Sequence, residues 1–122
     1  MKILAVEDES EYLEMLQMVM NGIGHSIIIA KNGIEAIRIL EKEKIDIILS
    51  DVAMPSMDGI EFHRRIRSKQ EYRDTPFIFL TGVSNLTKVK EECSSSKDLL
   101  LQKPISMERL LKMFSGQMKP IV

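Results

Sequence analysis

The sequence has little cysteine and no long hydrophobic run, and both absences restrict what the protein can be. It contains one cysteine, Cys93, and two histidines, His25 and His63. A single thiol cannot close an internal disulfide, and one thiol with two distant imidazoles offers no zinc-binding set. No apolar run approaches the ~20 residues of a membrane span, and acidic residues follow the amino terminus too soon for a signal peptide. We therefore expect a cytoplasmic protein with a reduced thiol.

An excess of one charge is also lacking. The formal net charge is −1, with 44% hydrophobic and 29% charged residues, which is ordinary for a globular protein. Nothing indicates a basic arm for nucleic acid or for a membrane surface. The length suits one domain with a hydrophobic core, and we interpret residues 1–122 as that domain.

Five short apolar runs are the main pattern that is present. They are rich in isoleucine, leucine and phenylalanine and do not alternate with polar residues. That is typical of strands buried on both faces of a parallel sheet. The runs are Ile3 to Val6, Ile27 to Ala30, Ile45 to Leu49, Phe77 to Leu80 and Leu99 to Leu101.

Apolar residues at spacings of three and four follow each run and predict five helices, with Ser10 and Ser106 as N-caps of the first and last. Alternation of strands and helices predicts right-handed crossovers and helices on both faces of the sheet. The fold class is therefore α/β, a doubly wound five-stranded parallel sheet with five helices, and we expect the strand order 2-1-3-4-5.

Polar residues stand at or just after the ends of four of the five predicted strands. Ligands of open α/β sheets bind outside the carboxyl ends of the strands, where the strand order switches. In the expected order, this point lies between strands one and three, which supply the carboxylates. We therefore expect one crevice that contains Glu7, Asp8, Asp51, Thr81 and Lys103.

The residue types in this crevice point to phosphoryl chemistry. Three carboxylates repel one another unless they are protonated or bridged by a cation, and their hard oxygens suit Mg²⁺. A lysine neutralises a phosphoryl oxygen, and a hydroxyl donates to another. An aspartate can itself act as the nucleophile and form an acyl phosphate.

Four segments resemble the response-regulator receiver family, and together they cover essentially the whole chain. The resemblance implies a flavodoxin-like fold, a role in two-component signalling and a cis peptide before the proline that follows the lysine. The segments are Val6-Glu7-Asp8, Leu49 to Gly59, Phe79-Leu80-Thr81-Gly82 and Gln102-Lys103-Pro104-Ile105.

The resemblance also implies a magnesium site. Asp8 and Asp51 would ligate Mg²⁺ together with the backbone carbonyl of Ala53. Glu7 would act through a metal-bound water, at a position where a second aspartate is commoner in the family.

The remaining implied roles concern the phosphoryl group. Asp51 would accept it from a histidine kinase or a phosphotransfer protein, Lys103 would pair with it, and Thr81 would move to hydrogen-bond it. A receiver catalyses only its own phosphorylation and dephosphorylation, so we do not expect an enzyme in the wider sense. It often signals through the face of helix 4, strand 5 and helix 5, frequently as a homodimer, and we expect no direct contact with nucleic acid or membrane.

The chain departs from the family pattern around the fourth helix. Leu100 occupies a position three residues before the lysine that is often aromatic, and Ser96-Lys97 replaces a small Gly-Ala pair. We expect the fourth helix to be short or mobile. Ala53 and Val83, two residues past the acceptor and the threonine, are apolar and cannot hold a water for attack, so we expect slow self-dephosphorylation.

Two other functions are compatible with an α/β chain of this size. A pseudo-receiver would act only as a docking scaffold, although such domains usually lose the acceptor, the acidic pair or the lysine. A small flavodoxin-like enzyme or flavin carrier would need a phosphate-binding loop after the first strand. Here that loop, Glu7 to Glu11, is acidic and lacks glycine.

Overall fold

A computed structural model describes residues 1–93 and 95–114. The end of the predicted domain, residues 115–122, lies outside the described residues, as does Ser94. Five parallel strands form one sheet in the order β2-β1-β3-β4-β5, which confirms the predicted topology. The strands are β1 Lys2–Val6, β2 Ser26–Ala30, β3 Ile47–Asp51, β4 Phe77–Thr81 and β5 Asp98–Gln102.

Five α-helices connect or follow the strands, as predicted, and two short 3₁₀ turns that the periodicity did not predict lie beside β4. Within the described ranges, none of the helices has the length and apolar character that a membrane span requires. The α-helices are α1 Ser10–Gly22, α2 Gly33–Lys42, α3 Gly59–Arg67, α4 Leu86–Glu92 and α5 Met107–Phe114, and the 3₁₀ turns are Gln70–Tyr72 and Val83–Asn85.

The hydrophobic core has two parts, one on each face of the sheet. Helices α1 and α5 cover one face, where Leu16 and Leu110 are fully buried. Helices α2, α3 and α4 cover the other face, where Phe62 and Val89 are fully buried. Because both faces of the sheet are covered, the middle of each strand is mainly apolar and does not alternate with polar residues.

Side-chain caps fix where three of the helices begin. Asn32, Asp58 and Ser106 precede α2, α3 and α5, and each accepts a hydrogen bond from the backbone N–H three residues later, at 2.8, 2.8 and 3.1 Å. The prediction for Ser106 is confirmed. The prediction for Ser10 is wrong, because Ser10 is already the first helical residue of α1 and Glu9 occupies the N-cap position.

Helix α4 is short, as expected. Its 7 residues make it the shortest of the α-helices in the described part of the chain, and Val89 is its buried residue. Whether it is also mobile stays a prediction.

Candidate functional site

The predicted site residues converge at the carboxyl edge of the sheet. Asp51 and Thr81 are the last residues of β3 and β4. Glu7 directly follows β1, and its N–H donates to the carbonyl of Ala30 at 3.0 Å, so the strand geometry continues into the site. Lys103 directly follows β5. Neighbouring parallel strands therefore deliver a carboxylate, a hydroxyl and an ammonium group to one place.

Lys103 lies at the centre of this group. Its Nζ is 2.8 Å from Glu7 Oε1, 3.2 Å from Glu9 Oε1 and 3.3 Å from Asp51 Oδ1. The ammonium also lies 4.4 Å from the centre of the Tyr12 ring, which is a cation–π distance. One cation thus links the ends of β1, β3 and β5 to the first turn of α1.

Four carboxylates form a compact group of hard oxygen ligands. Glu7, Asp8, Glu9 and Asp51 each offer an oxygen, and these oxygens lie within 4.8 Å of one another. Glu7 Oε2 accepts hydrogen bonds from the backbone N–H groups of Asp8 and Glu9 at 3.1 and 3.2 Å, which orients its carboxylate. This donor set suits a hard divalent cation such as Mg²⁺. Ala53, whose carbonyl is a further predicted ligand, is exposed on the loop that follows β3.

Burial changes the acid–base behaviour of the two inner carboxylates. Desolvation raises the pKa of Glu7 to about 7, although the hydrogen bond with Lys103 opposes the shift. Desolvation also raises the pKa of Asp51, against the charge of Lys103. Burial alone would lower the pKa of Lys103, but its hydrogen bond with Glu7 and the nearby negative charges raise it. A second cation would favour ionisation of both carboxyl groups.

The loop between β3 and α3 is built around a close backbone approach. The N–H of Gly59 donates to the carbonyl of Val52 at 2.8 Å. A Cβ atom at Gly59 would overlap the carbonyl oxygen of Asp51 and lie 2.9 Å from the Cα of Val52. Ser56 has a φ of 71°, in the left-handed region, where the loop reverses. Glycine at 59 therefore lets α3 start directly against the residue predicted to be the acceptor.

Thr81 is fully buried at the end of β4. Its hydroxyl donates to the carbonyl of Gly82 at 3.0 Å, and its own carbonyl accepts from the N–H of Lys103 at 2.7 Å. The Lys103–Pro104 peptide is cis, as the resemblance implies. Leu100, at the position that is often aromatic, is an almost fully buried side chain in the core beneath α3 and α4.

Two residues of the site were missed by sequence reasoning, Glu9 and Tyr12. Both contact Lys103. The sequence carried a weak signal, because Glu9 extends the acidic pair by one residue and Tyr12 lies one helical turn further on. Neither residue follows a strand, so the rule that located the others did not include them.

The family is decided by a comparison with known protein families. The model for the response regulator receiver domain matches residues 3–115. The chain belongs to the response regulator receiver domain family. The fold and the four motif segments agree with this assignment.

Among curated proteins, the receiver is similar to the response regulator MprA of Mycobacterium leprae. The two are 32% identical over 111 residues, which is 91% of this chain and 48% of that protein. The chain spans about half the length of the curated relatives that it matches.

Among solved structures, the receiver is similar to the chemotaxis response regulator CheY4 of Vibrio cholerae, with a TM-score of 0.83 and 31% identity over 96% of this chain and 98% of that one. It is also similar to the receiver domain of the sensor histidine kinase PA1611 of Pseudomonas aeruginosa, with a TM-score of 0.80 and 29% identity over 95% of each chain. That structure has a magnesium ion coordinated in its active site cleft. These likenesses extend over nearly the whole domain.

Proposed function

We propose that this receiver is phosphorylated on Asp51 by a histidine kinase or a phosphotransfer protein, in a reaction that requires Mg²⁺. The observation that carries the proposal is the setting of the Asp51 carboxylate. It is buried at the carboxyl edge of the sheet, 3.3 Å from the ammonium of Lys103 and within a group of four carboxylates. This arrangement brings an oxygen nucleophile, a fixed cation and a set of metal ligands together in one crevice.

Asp51 supplies the nucleophile. A carboxylate oxygen forms a bond to phosphorus while the bond from phosphorus to the donor imidazole nitrogen breaks, and the imidazole leaves. The Oδ1 atom of Asp51 accepts a hydrogen bond from the N–H of Val52 at 2.8 Å, and this bond orients the carboxylate. Lys103 neutralises charge on the transferring group, and the Thr81 hydroxyl donates to it after rotating away from Gly82. A receiver of this kind turns over no substrate other than its own phosphoryl group.

Asp8, Asp51 and the backbone carbonyl of Ala53 would hold the Mg²⁺, and Glu7 would contact it through a water. The ion would neutralise charge on the phosphoryl oxygens. Support comes from the oxygen-rich donor set of this site and from the magnesium in the cleft of the similar receiver from Pseudomonas aeruginosa. Desolvation raises the pKa values of Glu7 and Asp51, and a bound cation would favour the ionised form of both carboxyl groups.

The output surface that we propose is the face formed by α4, β5 and α5, used by a partner or by a second copy of the chain. Two apolar side chains of α5 support this choice, because Met107 is 43% exposed and Leu111 is 40% exposed. Core packing accounts for their buried neighbours Leu110 and Met113 but not for these two. A partner surface would cover them.

The test of the proposal is a mass measurement of the intact protein after incubation with a small phosphodonor, with and without Mg²⁺. We expect the mass increase of one phosphoryl group in wild type, only with Mg²⁺, and no increase in Asp51→Asn. The matched control is Asp74→Asn, which makes the same change at an exposed aspartate outside the site and should react like wild type. A wild type that gains no mass under any of these conditions would contradict the proposal and favour a docking scaffold.

A further inference from the structure

Lys103 has two kinds of carboxylate partner, which differ in how freely they can leave it. Glu7 and Asp51 approach it from strand ends, and their side chains are 0% and 7% exposed. Glu9 approaches it from the start of α1, and its side chain is 56% exposed. A buried carboxylate has no solvent to move into, whereas an exposed one can rotate into water at little cost. Glu9 is therefore the partner that can release the ammonium.

The start of α1 places Glu9 and Tyr12 on the same side of Lys103. The backbone at Glu9 is anchored twice, since its N–H donates to Glu7 Oε2 at 3.2 Å and its carbonyl accepts from Leu13 N at 3.1 Å. Residues three positions apart lie on the same face of a helix. Tyr12 thus presents its ring 4.4 Å from Nζ while the Glu9 carboxylate lies 3.2 Å from it.

We propose that Glu9 is a positioning residue, which holds the Lys103 ammonium against the Tyr12 ring and competes with the phosphoryl group for it. This inference rests on the proposed function, because it concerns the same lysine and the same incoming group. The three N–H donors of Lys103 already face oxygens of Glu7, Glu9 and Asp51. A phosphoryl group on Asp51 would add further oxygens and so compete with Glu9 for the ammonium. Glu9 then lowers the affinity of the site for a phosphoryl group without touching that group.

The size and salt dependence of the effect follow from exposure. An exposed ion pair shifts an equilibrium by about two- to fivefold, and salt screens it. The contact with buried Glu7 is screened much less. Glu9 should therefore hold the Lys103 ammonium at low ionic strength and hold it only weakly at high ionic strength. Glu7 should hold the ammonium at both.

The first experiment measures the affinity for beryllofluoride, used as a phosphoryl analogue, at saturating Mg²⁺ by amide chemical-shift titration. Glu9→Gln should bind the analogue about two- to fivefold more tightly than wild type at low salt. The ratio of the two affinities should approach one as sodium chloride rises from about 0.05 M to about 0.5 M. The matched control is Glu11→Gln, which removes the same charge from an exposed position two residues further along α1. It should bind the analogue like wild type.

The second experiment needs neither Mg²⁺ nor a phosphoryl analogue. NMR relaxation of the Lys103 side chain, recorded without either, should report greater mobility in Glu9→Gln than in wild type or Glu11→Gln. Tyr12→Leu, which removes the ring, should also increase this mobility. A role of Glu9 in the stability of α1 alone would change the unfolding midpoint but not this signal.

The outcomes separate the inference from the proposed function. If wild type binds beryllofluoride with Mg²⁺ and Glu9→Gln binds it equally or more weakly, the inference is overturned and the proposed function stands. A Glu9→Gln variant that loses Mg²⁺ affinity instead would make Glu9 a metal ligand and also overturn the inference. Wild type could also bind no analogue while the Lys103 side chain is more mobile in Glu9→Gln. That result would contradict the proposed phosphorylation and the competition with a phosphoryl group, and it would support only the role of Glu9 in positioning Lys103.

Discussion

At the scale of single residues, Gly59 shows how closely the backbone approaches the proposed acceptor. A methyl group there has no space beside the carbonyl of Asp51, whereas a Cβ at Gly22, at the end of α1, would meet nothing within 4 Å. The glycine following Asp58 is thus required by packing rather than by a turn of special φ.

Gly59→Ala should therefore destabilise the domain by about 1–3 kcal/mol, because the backbone around Asp51 has to shift. Gly22→Ala should leave the free energy of unfolding unchanged or raise it slightly, since alanine is the better helix former. Urea denaturation of both variants checks the pair. Equal effects of the two substitutions would show that the contact with Asp51 carries no cost.

We expect Ala53 and Val83 to influence how long a phosphoryl group on Asp51 would last. Both side chains are exposed, Val83 at 73%, and neither can bind a water for attack on the acyl phosphate. We expect wild type to lose its phosphoryl group more slowly than the double variant Ala53→Asn, Val83→Glu. Phosphate release followed after removal of the donor measures this. Loss from wild type as fast as from the variant would contradict the expectation.

At the scale of secondary-structure elements, a partly buried polar cluster joins α3 to α4 and β5. His63 Nε2 lies 2.8 Å from Asp98 Oδ1, and its Nδ1 lies 3.3 Å from Glu92 Oε1. Arg64 and Arg67 add ion pairs to Glu92 at 3.1 Å and to Asp98 at 2.7 Å.

Asp98 makes this cluster sensitive to acid. Burial opposes its ionisation, but the hydrogen bonds from His63 and Arg67 prevail and lower its pKa to about 2, from an ordinary value of 3.8. A carboxyl group whose pKa is depressed in the folded state stabilises the fold above its ordinary pKa and loses that contribution as the pH falls through the lowered value. The relevant window therefore runs from about pH 4 down to about pH 2.

We expect Asp98→Asn to have a lower free energy of unfolding than wild type at neutral pH. The difference between the two, called the gap below, should narrow by about 2 kcal/mol as the pH falls through this window. Denaturant unfolding at a series of pH values measures the gap. Asp74→Asn, at an exposed position, should show no such narrowing. A gap that stays constant between pH 4 and pH 2 would mean that Asp98 does not titrate as a paired group.

Helix α4 has few buried residues, and its side-chain ion pairs to α3 are made by Glu92 at its carboxyl end. It has 7 residues and buries Val89, whereas α1 has 13 residues and buries three. Glu92, its last residue, makes the contacts to His63 and Arg64. We expect amide hydrogen exchange in α4 to be faster than in α1, most of all in its first turn. Equal protection of the two helices from hydrogen exchange would contradict this expectation.

At the scale of the whole molecule, the exposed apolar residues of α5 bear on assembly. If phosphorylation makes the face of α4, β5 and α5 available to a second copy, beryllofluoride with Mg²⁺ should convert a monomer into a dimer in size-exclusion chromatography. Replacing Leu111 by lysine should block the shift, because it places a charge in the apolar contact. Replacing the exposed Met18 of α1 by lysine is the control on another face and should not block it. An unchanged elution volume would indicate that the receiver acts through a different partner.

Much of this molecule follows from local sequence patterns. The apolar runs specified the five strands, because both faces of a parallel sheet are covered, and the alternation with helices specified the doubly wound fold. The edge strand β2, in which only Ala30 is fully buried, is less enclosed than the runs predicted. The acidic pair, Asp51, Thr81 and Lys103 were located because parallel strands end at one edge, so residues far apart in the chain become neighbours there. The family resemblance of the motif segments implied their roles.

Tertiary structure alone decided the contacts that depend on where side chains from separate elements meet. No spacing rule relates Glu9 and Tyr12 to Lys103, which lies more than 90 residues away in the chain and contacts them only because β1 and β5 flank the same crevice. The cluster of His63 with Asp98 and Glu92 was hidden for the same reason, since a histidine on an apolar helix face gives no sign of its partners. The burial that raises the pKa of Glu7 is likewise a property of the packed fold, and so is the exposure of the Glu9 side chain.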